Sequence, residues 1–284
     1  MSPPPFQRIA IYGLGLIGGS IGLAIRHRWP DVRVVAIDRQ HVLDAALQMQ
    51  MADAGGTELD TAAGADLLIL AAPVLQNVAA LEALPRHVSH SLIVTDVGST
   101  KRAAAAAAAA LPSHIAFVGG HPLSGAAVSG LEAARPDLFL DRPWILTGTV
   151  EASPDVVAAL EALIVGLGAV PQRMDAAAHD LLLAYVSHLP QLAVSALMHV
   201  VGAQANLDGL ALAGRGLRDT TRLASSPAGT WRDIVATNGD NVSRALGDLI
   251  AALEELRSAA EGRPARMEEI FLSAAKWKGV LDHS

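Results

Sequence analysis

The sequence predicts an α/β fold: an N-terminal doubly wound sheet over residues 1–173, followed by an all-α C-terminal domain over residues 174–284. Three observations carry that expectation. Apolar runs of strand length alternate with helical stretches as far as Arg173, and strand-like patterning then vanishes from Asp175 onward. Near the N-terminus, Ile9-Ala10-Ile11-Tyr12 feeds directly into Gly13-Leu14-Gly15-Leu16-Ile17-Gly18. That glycine spacing between a strand and a helix is the signature of a Rossmann-type dinucleotide-binding unit.

Each part of this first unit has a physical role. Gly13 permits the tight turn, Gly15 lets backbone approach a pyrophosphate, and Gly18 lets helix and strand pack closely. The helix that Gly18 opens, next to Leu16 and Ile17, offers unpaired N–H groups and the positive end of its dipole to phosphate. A second apolar run, Val34-Val35-Ala36-Ile37, ends at Asp38, 20 positions beyond Gly18, where a carboxylate is placed to accept from the adenine ribose hydroxyls. Asp38 therefore favours NAD over NADP, because a carboxylate repels a 2′-phosphate, although the neighbouring Arg39 could receive that phosphate.

A helix is expected from His41 to Met51, then a buried strand Leu67–Ala71 ended by Pro73. Residues just beyond a strand's carboxyl end line the ligand crevice of such a sheet, which puts Ala71, Ala72 and Pro73 beside the cofactor. Val74–Leu84 reads as a helix and Leu92–Asp96 as a strand, delivering Val97-Gly98-Ser99-Thr100-Lys101 to the same edge. The alanines Ala103–Ala110 form an ordinary crossover helix, since Ala is the best helix former. Ile115–Val118 is the next strand and carries Gly119-Gly120-His121-Pro122-Leu123-Ser124-Gly125 to the crevice. Closing strands are expected at Trp144–Thr147 and Ala169–Arg173, with a helix from Pro154 to Leu167 between them.

The second half reads as helices: Ala176–Gln204 kinked at Pro190, a polar connector from Asn206 to Gly216, then Leu217–Ala224, Trp231–Ala236, Asn241–Ala260 and Pro264–Lys276. Their apolar stripes need partners, and a homodimer supplies them.

Composition narrows the function classes. Hydrophobic residues make up 51% and charged residues 17% of 284, which describes a globular chain. A net charge of −7 provides no basic surplus for nucleic acid or an anionic membrane. The absence of cysteine removes disulfides, thiolate metal sites and cysteine nucleophiles together. The start, Met1-Ser2-Pro3-Pro4-Pro5, lacks signal-peptide patterning, and no apolar run of about 20 residues suggests a membrane helix. A cytoplasmic protein with no metal site is expected.

Ser99 and His121 each follow a sheet strand and should face the nicotinamide end of the crevice. A histidine there suits acid–base work near neutral pH, and a hydroxyl beside it suits orientation of the substrate's proton. Bland alternatives exist: a turn histidine bonded to local backbone, and a helix N-cap for Ser99. His179 and His188, nine residues apart, fall on opposite faces of a straight helix at about 100° per residue, which argues against a shared metal. His188 and Gln191 share a face. Arg215, Arg218, Arg222 and Arg232 form the arginine cluster of the second half, suited either to a substrate carboxylate or to salt bridges with Asp219 and Asp233.

At these residues the chain resembles the prephenate/arogenate (cyclohexadienyl) dehydrogenase family of tyrosine biosynthesis. The resemblance runs from about Arg8 to Leu256. It rests on Gly13–Ser20, Asp96–Lys101, Gly120-His121-Pro122-Leu123-Ser124-Gly125, His179-Asp180, Ser187-His188-Leu189-Pro190, Thr221-Arg222-Leu223-Ala224 and Trp231-Arg232-Asp233-Ile234 followed by Asn241. It implies NAD-dependent oxidative decarboxylation of a cyclohexadienol. Hydride leaves ring C4 for the nicotinamide, the C4 hydroxyl proton is drawn off, and loss of the ring carboxylate as CO₂ aromatises the ring. The resemblance further implies that His121 accepts the hydroxyl proton or its hydrogen bond, that Ser99 orients that hydroxyl and the nicotinamide, and that Arg222 holds a substrate carboxylate. His188 would shape the pocket, with His179, Trp231 and Arg232 in support.

Two departures stand out. Gln191 occupies a position where many family members carry histidine, on the side expected to face the substrate's side chain. That leaves prephenate (keto) against arogenate (amino) open. The chain also ends too soon for a fused mutase or a regulatory ligand-binding domain, so control through such a domain is not expected, although tyrosine could still compete at the site. A β-hydroxyacid dehydrogenase, with the same two-part plan, would place a lysine on the long helix, and residues 176–204 contain none. A protein that senses NAD without turnover would lack the polar groups at the crevice, which Ser99, His121, His188 and Arg222 supply.

Overall fold

The structure is a computed structural model that describes residues 3–124, 130–150, 152–262 and 264–283. Its strands are β1 (Arg8–Tyr12), β2 (Arg33–Ile37), β3 (Ala54–Gly56), β4 (Leu67–Leu70), β5 (Leu92–Asp96), β6 (Ile115–Pro122), β7 (Pro143–Thr147) and β8 (Val170–Arg173). They form one sheet in the order β3-β2-β1-β4-β5-β6-β7-β8. All pairings are parallel except β6 with β7. The chain winds outward from β1 in both directions, so the switch point lies between β1 and β4, where open α/β sheets bind ligands.

Alternation along the strands assigns each side chain to one of two cores. Ile9, Ile11, Val34, Ala36, Leu67 and Ile69 face one side, against Ile21 and Ile25 of α1 (Leu16–Arg28) and Leu160 and Ile164 of α5 (Pro154–Gly166). Ala10, Ile37, Leu68, Leu70 and Val94 face the other, against Ala80 and Leu81 of α3 (Val74–Ala83) and Ala104 of α4 (Arg102–Ala108). Helix α2 (Gln40–Gln48) is shorter than expected, and the short edge strand β3 was not foreseen from its Ala-Gly-Gly sequence.

Several expectations change. Strand β6 does not stop at Val118: it runs on to Pro122 and carries His121 within it. Gly119 and Gly120 allow this, because a Cβ on either would lie 2.5 Å from an atom of Thr147 or Asp96. In the helical part, α6 (Ala176–Leu183) and α7 (Leu189–Ala211) are joined by a π turn over Ala184–His188. The irregularity thus precedes Pro190, which has no N–H for the carbonyl four residues back. The expected connector from Asn206 is helical as far as Ala211, with a break at Asn206 (φ 51°), whose Oδ1 accepts from the Gly209 N–H. Helix α8 (Arg215–Thr220) and a 3₁₀ turn at Arg222–Ser225 follow.

The two helices expected at 231–236 and 241–260 are one, α9 (Ala228–Ala260), with a non-helical residue at Asn238 (φ −137°, ψ 25°). The last helix, α10, spans Pro264–Asp282. The run Ala176–Ala211 is, by length and composition, apolar enough to cross a membrane, correcting the expectation that none exists. Its inner face nevertheless holds the buried polar residues His179, Asp180, His188 and Gln191, all four bonded to groups outside this run.

Candidate active site

The nucleotide end of the crevice is built by the β1–α1 turn. Gly13 has φ +93°, and a Cβ there would sit 2.5 Å from the Ala72 nitrogen. A Cβ on Gly18 would collide with the Gly13 carbonyl, whereas one on Gly15 would meet no protein atom within 4 Å. Gly15 is the N-cap of α1, where no side chain caps the helix and no acidic residue occupies the first turn. The amides around Leu16, Ile17 and Gly18 and the open space beside Gly15 thus fit a dinucleotide's phosphates.

At the end of β2, Asp38 accepts from the Leu14 N–H through Oδ2 and from the Arg39 N–H through Oδ1, both at 2.7 Å. The carboxylate braces the glycine turn and keeps lone pairs for a ribose. The Arg39 side chain is 79% exposed, its Nε 3.7 Å from Asp38. Beyond β4, Ala72 donates to Oδ1 of buried Asn77, whose Nδ2 donates to the Leu70 carbonyl, and Pro73 is the N-cap of α3. Asn77 escaped the sequence reading: a polar residue on the first turn of a helix after Pro was its only signal.

At the other end, Ser99 lies half-buried in the β5–α4 turn, and its hydroxyl has no partner among the described residues. It is not the cap of α4. That position is Lys101, and the Lys101 and Arg102 N–H groups donate to the two oxygens of Asp180 at 2.7 and 3.0 Å. A carboxylate from α6 thus caps the helix that follows Ser99. The Lys101 ammonium is fully buried, paired with Asp96 and donating to the Gly120 carbonyl. Burial lowers its pKa, while the Asp96 and Asp180 carboxylates oppose that shift.

His121 sits at the carboxyl edge of the sheet with Nδ1 2.9 Å from Nε2 of His179, whose Nδ1 is 2.8 Å from Oδ1 of Asp180. No partner reaches His121 Nε2 among the described residues, which removes the reading of a turn histidine bonded to backbone. Burial first, then the nearby His179, Lys101 and His188, hold the His121 pKa well below the usual imidazole value. His188 is also close: burial brings it to about 4, against the opposing pull of Asp180. The expectation that His179 and His188 occupy opposite faces assumed a straight α-helix. With the π turn between them, both are buried, His179 against His121 of β6 and His188 against Asn238 and Trp231. Asn238 joins them, donating to the Asp180 carbonyl at 2.7 Å and lying 3.4 Å from His188 Nδ1, while Trp231 packs edge-on to the His188 ring. His188 Nε2 is buried without a partner among the described residues.

Gln191 is buried, but its amide is already engaged: Nε2 donates to the Leu223 carbonyl (2.8 Å) and to Ser195 (3.2 Å), and Oε1 accepts from Ser226 (3.0 Å). It therefore ties α7 to the turn carrying Arg222. Arg222 and Arg232 are exposed, and among the described residues no ion pair joins the arginine cluster to Asp219 or Asp233. Asp233 instead accepts from the Leu75 N–H at 3.4 Å. Arg102 spans the parts of the chain, reaching Asp240 and Asn238 on α9 and Asp180 on α6. Gly125 of the His-Pro-Leu-Ser-Gly motif lies outside the described residues. Sequence reasoning also passed over Lys101, Asp180 and Asn238 as members of the site, because their partners lie up to 136 positions away in the chain.

Comparison with known proteins gives the family of the chain. The family model for the prephenate dehydrogenase nucleotide-binding domain matches residues 21–172, and that for the prephenate dehydrogenase dimerization domain matches residues 175–273. A prephenate dehydrogenase of Bacillus subtilis is 35% identical over 274 residues, covering 94% of this chain and 74% of that protein. A cyclohexadienyl dehydrogenase of Zymomonas mobilis is 32% identical over 260 residues, covering 89% and 88%. The crystal structure of prephenate dehydrogenase from A. aeolicus in complex with hydroxyphenyl propionate and NAD+ superposes with a TM-score of 0.88 at 26% identity, covering 99% of this chain and 98% of that one. A two-part α/β and all-α chain with these matches along nearly its whole length belongs to the prephenate dehydrogenase family.

Proposed function

We propose that this chain converts prephenate to 4-hydroxyphenylpyruvate and CO₂ with NAD, as a step of tyrosine biosynthesis. One observation carries the reading. His121, at the carboxyl edge of the sheet, has Nδ1 engaged by His179 and Nε2 unpartnered among the described residues, next to a strand end that carries the free hydroxyl of Ser99. With its pKa held low by burial, His121 is neutral at working pH and is a competent proton acceptor.

NAD, when bound, supplies the hydride acceptor. Gly13, Gly15, Gly18 and the Leu16 and Ile17 amides hold its pyrophosphate, Asp38 its ribose, and Ala72 and Pro73 leave room beside it. Arg39 flanks the ribose. His121 takes the proton of the ring C4 hydroxyl, which Ser99 orients, so the forming carbonyl develops as the C4 hydride departs. Arg222 pairs with a substrate carboxylate, with Arg232 in support. His188 is neutral: its Nδ1 accepts from Asn238, leaving Nε2–H to donate to the substrate. The residue boundary between the nucleotide-binding and helical units lies at 173/174, and the enzyme works as a cytoplasmic homodimer. The apolar side chains Leu207, Leu212, Phe271 and Trp277, all more than half exposed in the single chain, are the groups such a dimer covers.

Arogenate oxidation to tyrosine is the second reading. It is favoured by Gln191, whose amide is spent on Leu223, Ser195 and Ser226 and so is not free to select a keto group. The test is absorbance of the reduced nicotinamide with prephenate and with arogenate, each with NAD and NADP. Turnover of prephenate with NAD is expected, and turnover of arogenate alone would shift the assignment. His121→Asn should retain NAD binding and lose turnover by roughly 10²-fold or more.

A further inference from the structure

We propose that His179 and Asp180 form a relay behind His121 that dictates its tautomer and takes up the charge of the proton it accepts. The inference rests on His121 being the base. Asp180 is buried and receives the Lys101 and Arg102 N–H groups and the Arg102 Nε–H, at 2.7, 3.0 and 3.3 Å. Burial pushes its pKa up, but the hydrogen bonds from His179 and from those amides outweigh this, leaving an ionised carboxylate.

A carboxylate only accepts, so the 2.8 Å contact requires the His179 proton on Nδ1. Neutral His179 then presents a lone pair at Nε2, and the 2.9 Å contact requires the His121 proton on Nδ1. The lone pair of His121 is consequently at Nε2, the nitrogen without a protein partner among the described residues. One buried carboxylate, two rings away, thus decides which nitrogen of His121 is basic.

The same chain relocates charge. The substrate hydroxyl proton bonds to His121 Nε2, and the His121 Nδ1 proton passes to His179 Nε2. His121 ends neutral with Nε2–H, and His179 ends as an imidazolium whose Nδ1–H still meets Asp180. Two protons shift, the relay gains one net, and no electrons change hands within it. The groups facing His121 explain the benefit. The β5–α4 turn contributes the Lys101 ammonium, paired with Asp96; α6 contributes His179; the π turn contributes His188. A cation on His121 would face Lys101, whereas one on His179 lies against Asp180, with Arg102 shared between Asp180 and Asp240. His179 and Asp180 are therefore positioning residues, with His179 a transient carrier of charge.

The test uses full-length protein labelled at the histidine ring nitrogens, with His179→Leu, His179→Gln and His121→Asn variants. In the parent at neutral pH, nitrogen chemical shifts should show Nδ1–H and a bare Nε2 on both His121 and His179. In His179→Leu, kcat should fall on the order of 10²-fold with the KM for prephenate and the Kd for NAD nearly unchanged, and the His121 proton should redistribute toward Nε2. Gln retains a carbonyl that accepts the Nδ1–H, so His179→Gln should recover the parent tautomer and at least tenfold of the lost kcat, with a displaced pH profile. A parent His121 protonated at Nε2, or a folded His179→Leu with parent kcat and pH profile, would overturn the relay. Equal losses in the Leu and Gln variants with an unchanged His121 tautomer would do the same. If His121→Asn turns over like the parent, it is the base assignment that fails.

Discussion

Gly15 and Gly18 belong to the same motif, yet their missing side chains do different things. A methyl group on Gly18 would overlap the Gly13 carbonyl, so Gly18→Ala should lower the thermal midpoint as well as NAD affinity. One on Gly15 meets no protein atom within 4 Å. Gly15→Ala should therefore leave the midpoint within a few degrees while weakening NAD tenfold or more, which calorimetry and fluorescence titration would separate. His188 gives a residue-scale pH dependence. Its folded pKa of about 4 lies below the unfolded imidazole value, so between roughly pH 6.5 and 4 the unfolded chain binds the extra proton and stability falls as pH falls. Above that window both states are neutral and the effect vanishes. Relative to His188→Gln, the parent should lose roughly 2–4 kcal/mol between pH 7 and pH 4 in denaturant titrations. A parallel pH response in the two proteins would show that His188 is not buried as a neutral ring.

Elements in this protein are closed by groups from other elements. Helix α3 is anchored by Asn77, whose amide bonds the Leu70 carbonyl and the Ala72 N–H on either side of the crevice turn. Asn77→Ala leaves both buried backbone groups without that partner and should cost about 1–3 kcal/mol in chemical denaturation, with weaker NAD binding. Helix α4 has no local side-chain cap and takes Asp180 instead, so the turn bearing Ser99 is set by α6. The π turn at Ala184–His188 is likewise closed by another element, because His188 on it is buried against Asn238 and Trp231 of α9. Pro190 marked an irregularity in the sequence. Its form and its position one turn earlier went with the packing of Tyr185 and His188 against α9.

For the whole molecule, the contacts that matter run between the sheet and the helices. Arg102 reaches α6 and α9, Thr100 meets Thr237 at 2.8 Å, and Lys101 and His121 meet Asp180 and His179. The Arg102 ion pairs are partly exposed, which limits their effect on stability. Arg102→Ala is accordingly expected to change the unfolding free energy by about 1 kcal/mol or less, and to reduce kcat through the loosened Asp180. On the outer face, a Phe271→Asp, Trp277→Asp double variant should shift the protein from dimer to monomer in light scattering while each chain remains folded.

By itself the sequence determined most of the order of elements, short of β3 and the single long α9, together with the glycine turn with Asp38 and the identity of Ser99, His121, His188 and Arg222 as candidates. These signals are local: hydrophobic period, turn chemistry and short motifs act within a few residues of one another. The tertiary structure alone decided that Asp180 caps α4, that His179 backs His121, that Asn238 bridges to His188, and that Gln191 is spent on Leu223 and Ser226. Each of these contacts joins residues brought together only by packing the helices onto the sheet edge. Their donors and acceptors are matched by burial and geometry, which no spacing in the chain encodes.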